Sequence, residues 1–304
     1  MNNHARRLFA AALSMAAAAS LALPAGSASA AEPSAPTTLA VGEPATAGSV
    51  RARVKHWTPE RMRAAFQRSP EQAQATSVAA AGPSVDTVGK VFFEHPDGTP
   101  DVCSGSAIDT PASTLVMTAG HCLYQGPGGG WMKNVVFVPG YENGDAPLGV
   151  FPAWNVTTDS LWSAEGDLEH DYGLIITHDN GAGEHVAEAA GGFGVVADQG
   201  AVNDVTIIGY PAEAPYDGEH QEECNDITEP TPPPQNMIYA YCPNMVGGSS
   251  GSPWLVEYDP GDQLGLIYGV NSVIDGGGYV ATPRFDARTL SNVSLTDQIA
   301  AARP

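Results

Sequence analysis

Two short segments of this 304-residue chain carry side chains that could do nucleophilic chemistry. One is Thr118-Ala119-Gly120-His121-Cys122, directly after the strand-like run Leu115-Val116-Met117. The other is Gly247-Gly248-Ser249-Ser250-Gly251-Ser252-Pro253, directly before Trp254-Leu255-Val256. A serine hydroxyl is a weak nucleophile at neutral pH. It needs a neighbouring base and a third group that orients that base. It also needs backbone N–H donors aimed at the developing oxyanion. Glycines beside the serine let the backbone turn sharply enough to supply them. A third segment, Asp171-Tyr172-Gly173-Leu174-Ile175, puts a carboxylate at the entrance of an apolar strand.

The choice between the two serines follows from chain order. Gly247-x-Ser249-x-Gly251 has the form of the strand–helix elbow of α/β-hydrolases, whose histidine lies downstream of the nucleophile. Here the last histidine is His220, and no strand–helix alternation is present. The other reading takes Ser250 as the nucleophile, in Gly248-Ser249-Ser250-Gly251-Ser252-Pro253, with the chain order His121, Asp171, Ser250. His170 adjoins Asp171, but neighbouring side chains on a strand point to opposite faces, so His170 reads as a loop residue. His178, His185 and His220 lack paired ligand spacing and are expected at the surface. Asp167 lacks an apolar strand behind it.

The three segments together resemble the motifs of the trypsin-like, chymotrypsin-fold serine peptidases. The likeness is greatest to their secreted bacterial branch, which includes glutamyl endopeptidases. It spans roughly residues 88–285, with motif spacings of 50 and 79 residues and with Cys103-Ser104-Gly105-Ser106-Ala107-Ile108 similar to the strand before the histidine loop. The resemblance implies a triad: Ser250 attacks the scissile carbonyl, His121 carries the proton, and Asp171 holds the imidazole. It implies an oxyanion hole from the N–H groups of Gly248 and Ser250. It places Asn244 six residues before the nucleophile, at the base of the specificity pocket, and Asn271-Ser272 on the strand that pairs with substrate. An uncharged Asn244 argues against arginine or lysine at P1, because a buried guanidinium wants a carboxylate. Asn271 stands where glutamyl endopeptidases carry a histidine, which argues against glutamate. Ser249 replaces the aspartate that receives the new N-terminus in animal enzymes, so activation should not use that switch.

Four cysteines, Cys103, Cys122, Cys224 and Cys242, form an even set with no C-x-x-C pair. In an exported chain they read as two disulfides with three open connectivities. The resemblance implies Cys103–Cys122, leaving Cys224 with Cys242. No cofactor and no metal is expected. Residues 212–230 hold seven acids and no Lys or Arg, without EF-hand spacing, and read as a solvated loop.

The elements that must position these residues read as short strands. Runs such as Val91-Phe92-Phe93, Val135-Val136-Phe137-Val138 and Val205-Thr206-Ile207-Ile208 are rich in β-branched and aromatic residues, each closed by a turn former. Together with 34 Gly and 25 Pro they point to an all-β fold. The expectation is two antiparallel Greek-key β-barrels, residues 84–190 and 191–304, with the site in the cleft between them. A short closing helix is expected near 295–302.

The N-terminus reads as a signal peptide, residues 1–30: Arg6-Arg7, an apolar run to Leu23, then small residues at 27–30. No membrane contact is expected after its removal, and the product should be secreted. Residues 31–83 read as a propeptide, with a helix expected from Thr58 to Gln67. Residues 32–81 carry a net charge of +2, and the basic cluster Arg51–Arg68 is expected to dock on the acidic body. Residues 1–81 hold eight Lys/Arg and four Asp/Glu, against five and 30 in the remainder. A body so acidic excludes nucleic acid as a partner. The expected product is a monomeric serine endopeptidase acting on proteins or peptides. A catalytically dead binding protein and an esterase using the same serine are the alternatives.

Overall fold

The computed structural model describes residues 38–66 and 84–303. The expected signal segment and residues 31–37 and 67–83 of the expected propeptide lie outside the described residues. In chain order the first elements are β1 (Leu39–Val41), α1 (Ala47–His56) and α2 (Pro59–Ala64). Six strands follow: β2 (Val88–Glu94), β3 (Pro100–Ala107), β4 (Leu115–Thr118), β5 (Lys133–Pro139), β6 (Phe151–Asp159) and β7 (Gly173–Thr177), with α3 (Ser160–Glu165) between the last two. Beyond α4 (Val186–Ala190) come β8 (Gly194–Val195), β9 (Asp204–Gly209), β10 (Glu222–Ile227), β11 (Glu229–Pro230), β12 (Met237–Tyr241), β13 (Pro253–Asp259), β14 (Leu264–Val270), β15 (Val273–Ile274) and β16 (Tyr279–Pro283). Helix α5 (Ala287–Ala301) ends the chain. None of these helices is long and apolar enough to cross a membrane.

The first six of the main strands close on themselves in the order β6-β5-β2-β3-β4-β7, with β7 returning to β6. Side chains alternate across each strand. Val91, Phe93, Val116, Phe137, Phe151 and Ile175 fill the inside of this barrel. Their neighbours Val88, Phe92, Leu115, Met117, Val136 and Leu174 face outward, yet are also buried, because Ile208, Tyr210, Leu255, Ile267 and Val270 of the second half pack on them. That double coverage explains why these strands read as continuous apolar runs rather than clean alternation. The second half is built from a five-stranded sheet, β10-β9-β13-β14-β8, and a four-stranded sheet, β11-β12-β16-β15. Val205, Ile207, Ile238, Ala240, Trp254 and Val280 form its core.

Helix α5 is longer than its sequence pattern indicates. Asp286 caps it by accepting from the N–H groups of Arg288 and Thr289. Its first turns are polar because they face a polar cluster, not a core. Arg288 Nε and Nη2 donate to the two carboxylate oxygens of fully buried Asp159, each at 2.7 Å. Tyr172 Oη and Asn292 Nδ2 donate to the same carboxylate. This cluster clips the terminal helix to β6 and to the residue after Asp171.

Residues 38–66 lie against the first barrel. β1 extends its sheet by pairing with β6, Leu39 opposite Asp159 and Val41 opposite Thr157. Trp57 is buried, stacks on Phe92 at 5.4 Å and donates from Nε1 to Asn134 O. Met62, Ala65 and Phe66 join the same core. α2 begins where expected, with Thr58 as its N-cap; α1 and β1 are additional. In the described part of the segment, two arginines reach backbone carbonyls of the body: Arg53 donates to Ala153 O and Arg63 to Asn143 O. Among the described residues only His56, on Glu94 at 2.8 Å, pairs with a carboxylate of the body. Backbone edges and aromatic surface offer more than solvated carboxylates, whose exposed pairs contribute little.

Burial alone would raise the Asp159 pKa, but Arg288 and the other donors hold it below the ordinary carboxylate value. A depressed folded-state pKa gives stability that is present above the unfolded carboxylate range and lost as pH falls. Arg288→Ala should destabilise the protein by about 2 kcal/mol, toward the low side for a broken buried pair because Arg288 is 26% exposed. Thermal unfolding at neutral pH should show a Tm lower by roughly 4–8 °C, with the deficit shrinking in acid as Asp159 protonates.

Candidate active site

Three loops converge at the junction of the two barrels. The first leaves β4 and turns through a 3-10 segment, Gly120–Cys122, that carries His121. A Cβ at Gly120 would lie 2.8 Å from Thr158 Oγ1 and 2.9 Å from Asp171 Oδ1, so glycine is required there by space alone. The Cys103–Cys122 disulfide ties this turn to β3. The second loop is a 3-10 turn, Leu168–His170, ending at Asp171 just before β7. The third, between β12 and β13, carries Ser250.

Asp171 is fully buried and accepts three hydrogen bonds. The His121 backbone N–H reaches Oδ1 at 2.7 Å, and His121 Nδ1 faces Oδ2 at 2.7 Å. The third comes from Ser272 Oγ, which donates to Oδ2 at 2.6 Å from the second barrel. The hydrogen bond to the carboxylate assigns the imidazole proton to Nδ1 and leaves Nε2 as a base. Burial lowers the His121 pKa, but the charge and hydrogen bond of Asp171 outweigh it, and the net shift is upward from the ordinary value of 6.5. Trp162 stands edge-on to the imidazole at 6.2 Å.

The serine loop is seated against the histidine loop. Ser104 N donates to Ser250 O at 2.7 Å, and Ser104 Oγ donates to Gly248 O at 3.0 Å. Gly251 has φ +82, and a Cβ there would collide with Thr118 Oγ1 and Ser104 O and lie 2.9 Å from Ala119 N. Only glycine permits that approach, which brings the residue after Ser250 to within two positions of His121. Ser249 points away from the cleft. It is fully buried, donates from Oγ to Val246 O, and accepts from Asn271 Nδ2. Among the described residues the N–H groups of Gly248 and Ser250 donate to no protein acceptor. Ser250 Oγ and His121 Nε2 are not yet hydrogen-bonded, as is common before substrate draws such contacts together.

The other candidates fall elsewhere. His170 binds Asp167 at 2.9 Å, His185 pairs with Asp179, and His220 with Glu142. None reaches Asp171. Asn244 Nδ2 donates to Glu223 O, toward β10. Asn271 is fully buried under Ser249. Ser272, expected on the substrate strand, spends its hydroxyl on Asp171. No local motif announces that contact, because it joins residues 101 positions apart. Cys224 and Cys242 form the second disulfide, beside the Asn244 turn. Among the described residues one group has metal-ligand proximity, Cys103, His121 and Cys122, but both sulfurs are in a disulfide.

No family model matches the chain. A glutamyl endopeptidase of Bacillus licheniformis is 27% identical over 140 residues, which cover 45% of this chain and 41% of that relative's length. Among solved structures, protease Anisep from Arthrobacter nicotinovorans is 30% identical, with a TM-score of 0.64 over 73% of this chain and 98% of its own. A thermostable serine protease, AL20, from an extremophilic microorganism is 29% identical, with a TM-score of 0.65 over 70% of this chain and 98% of its own. The chain belongs to the bacterial trypsin-like serine proteases, hydrolases of peptide bonds built on the chymotrypsin fold.

The raised His121 pKa has a checkable sign. It contributes stability that is complete below the unfolded histidine pKa and is lost as pH rises through the folded value. NMR titration of the His121 ring protons should give a midpoint above 6.5, and Asp171→Asn should move it to lower pH. A midpoint unchanged by that substitution would mean that Asp171 does not hold the imidazolium.

Proposed function

We propose that the protein is a secreted serine endopeptidase that cleaves peptide bonds through an acyl-enzyme. The observation that carries this reading is the fully buried Asp171 carboxylate with His121 Nδ1 at 2.7 Å, with the serine loop seated on Ser104 of the strand that the histidine turn is tied to. Ser250 Oγ attacks the scissile carbonyl carbon while His121 Nε2 takes its proton. The tetrahedral oxyanion is held by the Gly248 and Ser250 N–H groups. Collapse expels the amine, which leaves with the proton from His121. Water then enters, His121 takes its proton, and Ser250 is restored with release of the acid. Asp171 keeps the tautomer and offsets the imidazolium charge; Ser272 fixes Asp171. Secretion is supported by two disulfides, which persist in oxidising compartments.

A dead binding protein is the weaker reading, because every group the mechanism needs is present. Covalent labelling with a fluorophosphonate separates the two. The processed wild type should label and Ser250→Ala should not, while Ser249→Ala should still label. Loss of labelling in Ser249→Ala alone would move the nucleophile to the neighbouring residue. The labelling rate should climb with pH through a midpoint above 6.5, since only neutral His121 can accept the serine proton. Asp171→Asn should slow peptide hydrolysis by about 10⁴-fold, as loss of the orienting carboxylate does in other triads.

A further inference from the structure

The segment 38–66 is built onto the outer wall of the first barrel. β1 adds an edge to β6, and Gly42 N and Ala45 N continue the pairing onto Val156 O and Trp154 O. Trp57, Met62 and Phe66 cover the outward face of β2 at Phe92, in the same apolar layer as Tyr141. No hydrogen bond or ion pair of residues 38–65 reaches His121, Ser250, Gly248, Asn244 or Asn271. The nearest link to the site is indirect. Thr38 Oγ1 donates to Asn292 Oδ1 at 2.6 Å, Asn292 Nδ2 donates to Tyr172 Oη, and Tyr172 follows Asp171 in the chain.

In animal enzymes of this class, freeing an N-terminus assembles the oxyanion loop through a carboxylate beside the nucleophile. Here that position is Ser249, and its hydroxyl is already occupied by Val246 O and Asn271 Nδ2. The oxyanion loop is further pinned by Ser104 Oγ on Gly248 O and by Ala212 N on Gly247 O. At the other end, the Val85 N–H is an ordinary buried amide donor to Gln221 Oε1 at 2.8 Å. Gln221 in turn donates to Val85 O and Val88 O. The described chain entering β2 is thus held by buried hydrogen bonds at Val85 and Val88, and the oxyanion loop is pinned by contacts of its own.

From these contacts we infer that residues 38–66 are a strap and not an inhibitor. The uncut chain already carries a competent site, and the segment stays bound by apolar and backbone contacts after residues 67–83 are cleaved. The inference rests on Ser250 being the nucleophile. It assigns the outer face of β2, β5 and β6 as an intramolecular docking surface whose occupant is the chain's own residues 38–66.

The test replaces residues 67–83 by a Gly/Ser linker carrying one recognition sequence for an unrelated, sequence-specific cysteine protease. Fluorophosphonate labelling is measured before and after that cut, and the product is run on size exclusion in low and high salt. Labelling rates should agree within about twofold. The 38–66 fragment should co-elute with the body in both salts, because contacts between apolar groups are not screened as ion pairs are. Trp57→Ala with Met62→Ala should lower the Tm of the uncut chain and release the fragment on cutting, with labelling unchanged. If that double variant does not fold, Trp57→Phe gives the milder form of the same shift. Labelling that appears only after the cut, or rises by about tenfold or more, would overturn the inference while leaving Ser250 in place. Release of the wild-type fragment at once, with Tm unchanged, would overturn the strap. No labelling of any folded form would sink the Ser250 reading and the competence of the uncut chain with it.

Discussion

A carboxylate completely removed from water is the constraint around which this molecule is arranged. Asp171 has no exposed surface, and a buried carboxylate is tolerable only where donors meet its lone pairs. Its three donors come from two separate parts of the chain. The His121 N–H and ring belong to the first barrel, and the Ser272 hydroxyl to the second. The site therefore cannot exist in either half alone. Docking of the barrels and satisfaction of Asp171 are one event, and the imidazole is oriented as a consequence.

The close approach this demands explains the residues around it. Gly120 is a glycine because Thr158, Asp171 and Trp162 already fill the space a Cβ would take. Gly251 is one because the serine loop lies on the backbone of Ser104 and Ala119. Behind Asp171, Tyr172 carries the connection outward to Asp159 and its pair with Arg288. One buried carboxylate thus positions the imidazole, and a second, twelve residues earlier in the chain, pins the strand that supplies the first. Lys90 shows the same economy on the opposite side. Burial pushes its ammonium below the ordinary lysine value, and Glu219 at 3.6 Å opposes that shift. Its bond to Gly218 O ties the acidic loop to the first barrel.

What could be read in the sequence was what is written locally. The three motifs around His121, Asp171 and Ser250 each sit at a strand end, and short β-rich runs give the strands themselves. What could not be read depends on distant partners. Leu39–Val41 has no strand signal of its own, since three residues acquire strand geometry only from the open edge of β6. α1 buries no side chain, so no apolar stripe marks it. The first half of α5 is polar because Arg288 and Asn292 face Asp159. The role of Ser272 depends on a contact across the barrel interface. The seating of the described N-terminal residues through Trp57 and the β1 edge is not written in net charge, which counts residues without saying which are exposed.

The body's acidity cannot by itself set the register of an edge strand. Thirty acids against five bases make a field that attracts any basic segment at a distance, and such a field is screened within about 10 Å at ordinary ionic strength. A segment that must seat one edge strand in one register cannot rely on it. Register comes from the alternation of buried and exposed side chains along β1 and β6 and from the fixed spacing of backbone donors, both insensitive to salt. Trp57 then adds a directional lock, since its indole must stack on Phe92 and donate to Asn134 O at once. Charge can bring the segment near; shape and hydrogen bonding decide where it stops, and they stop it on the wall of the barrel rather than in the cleft.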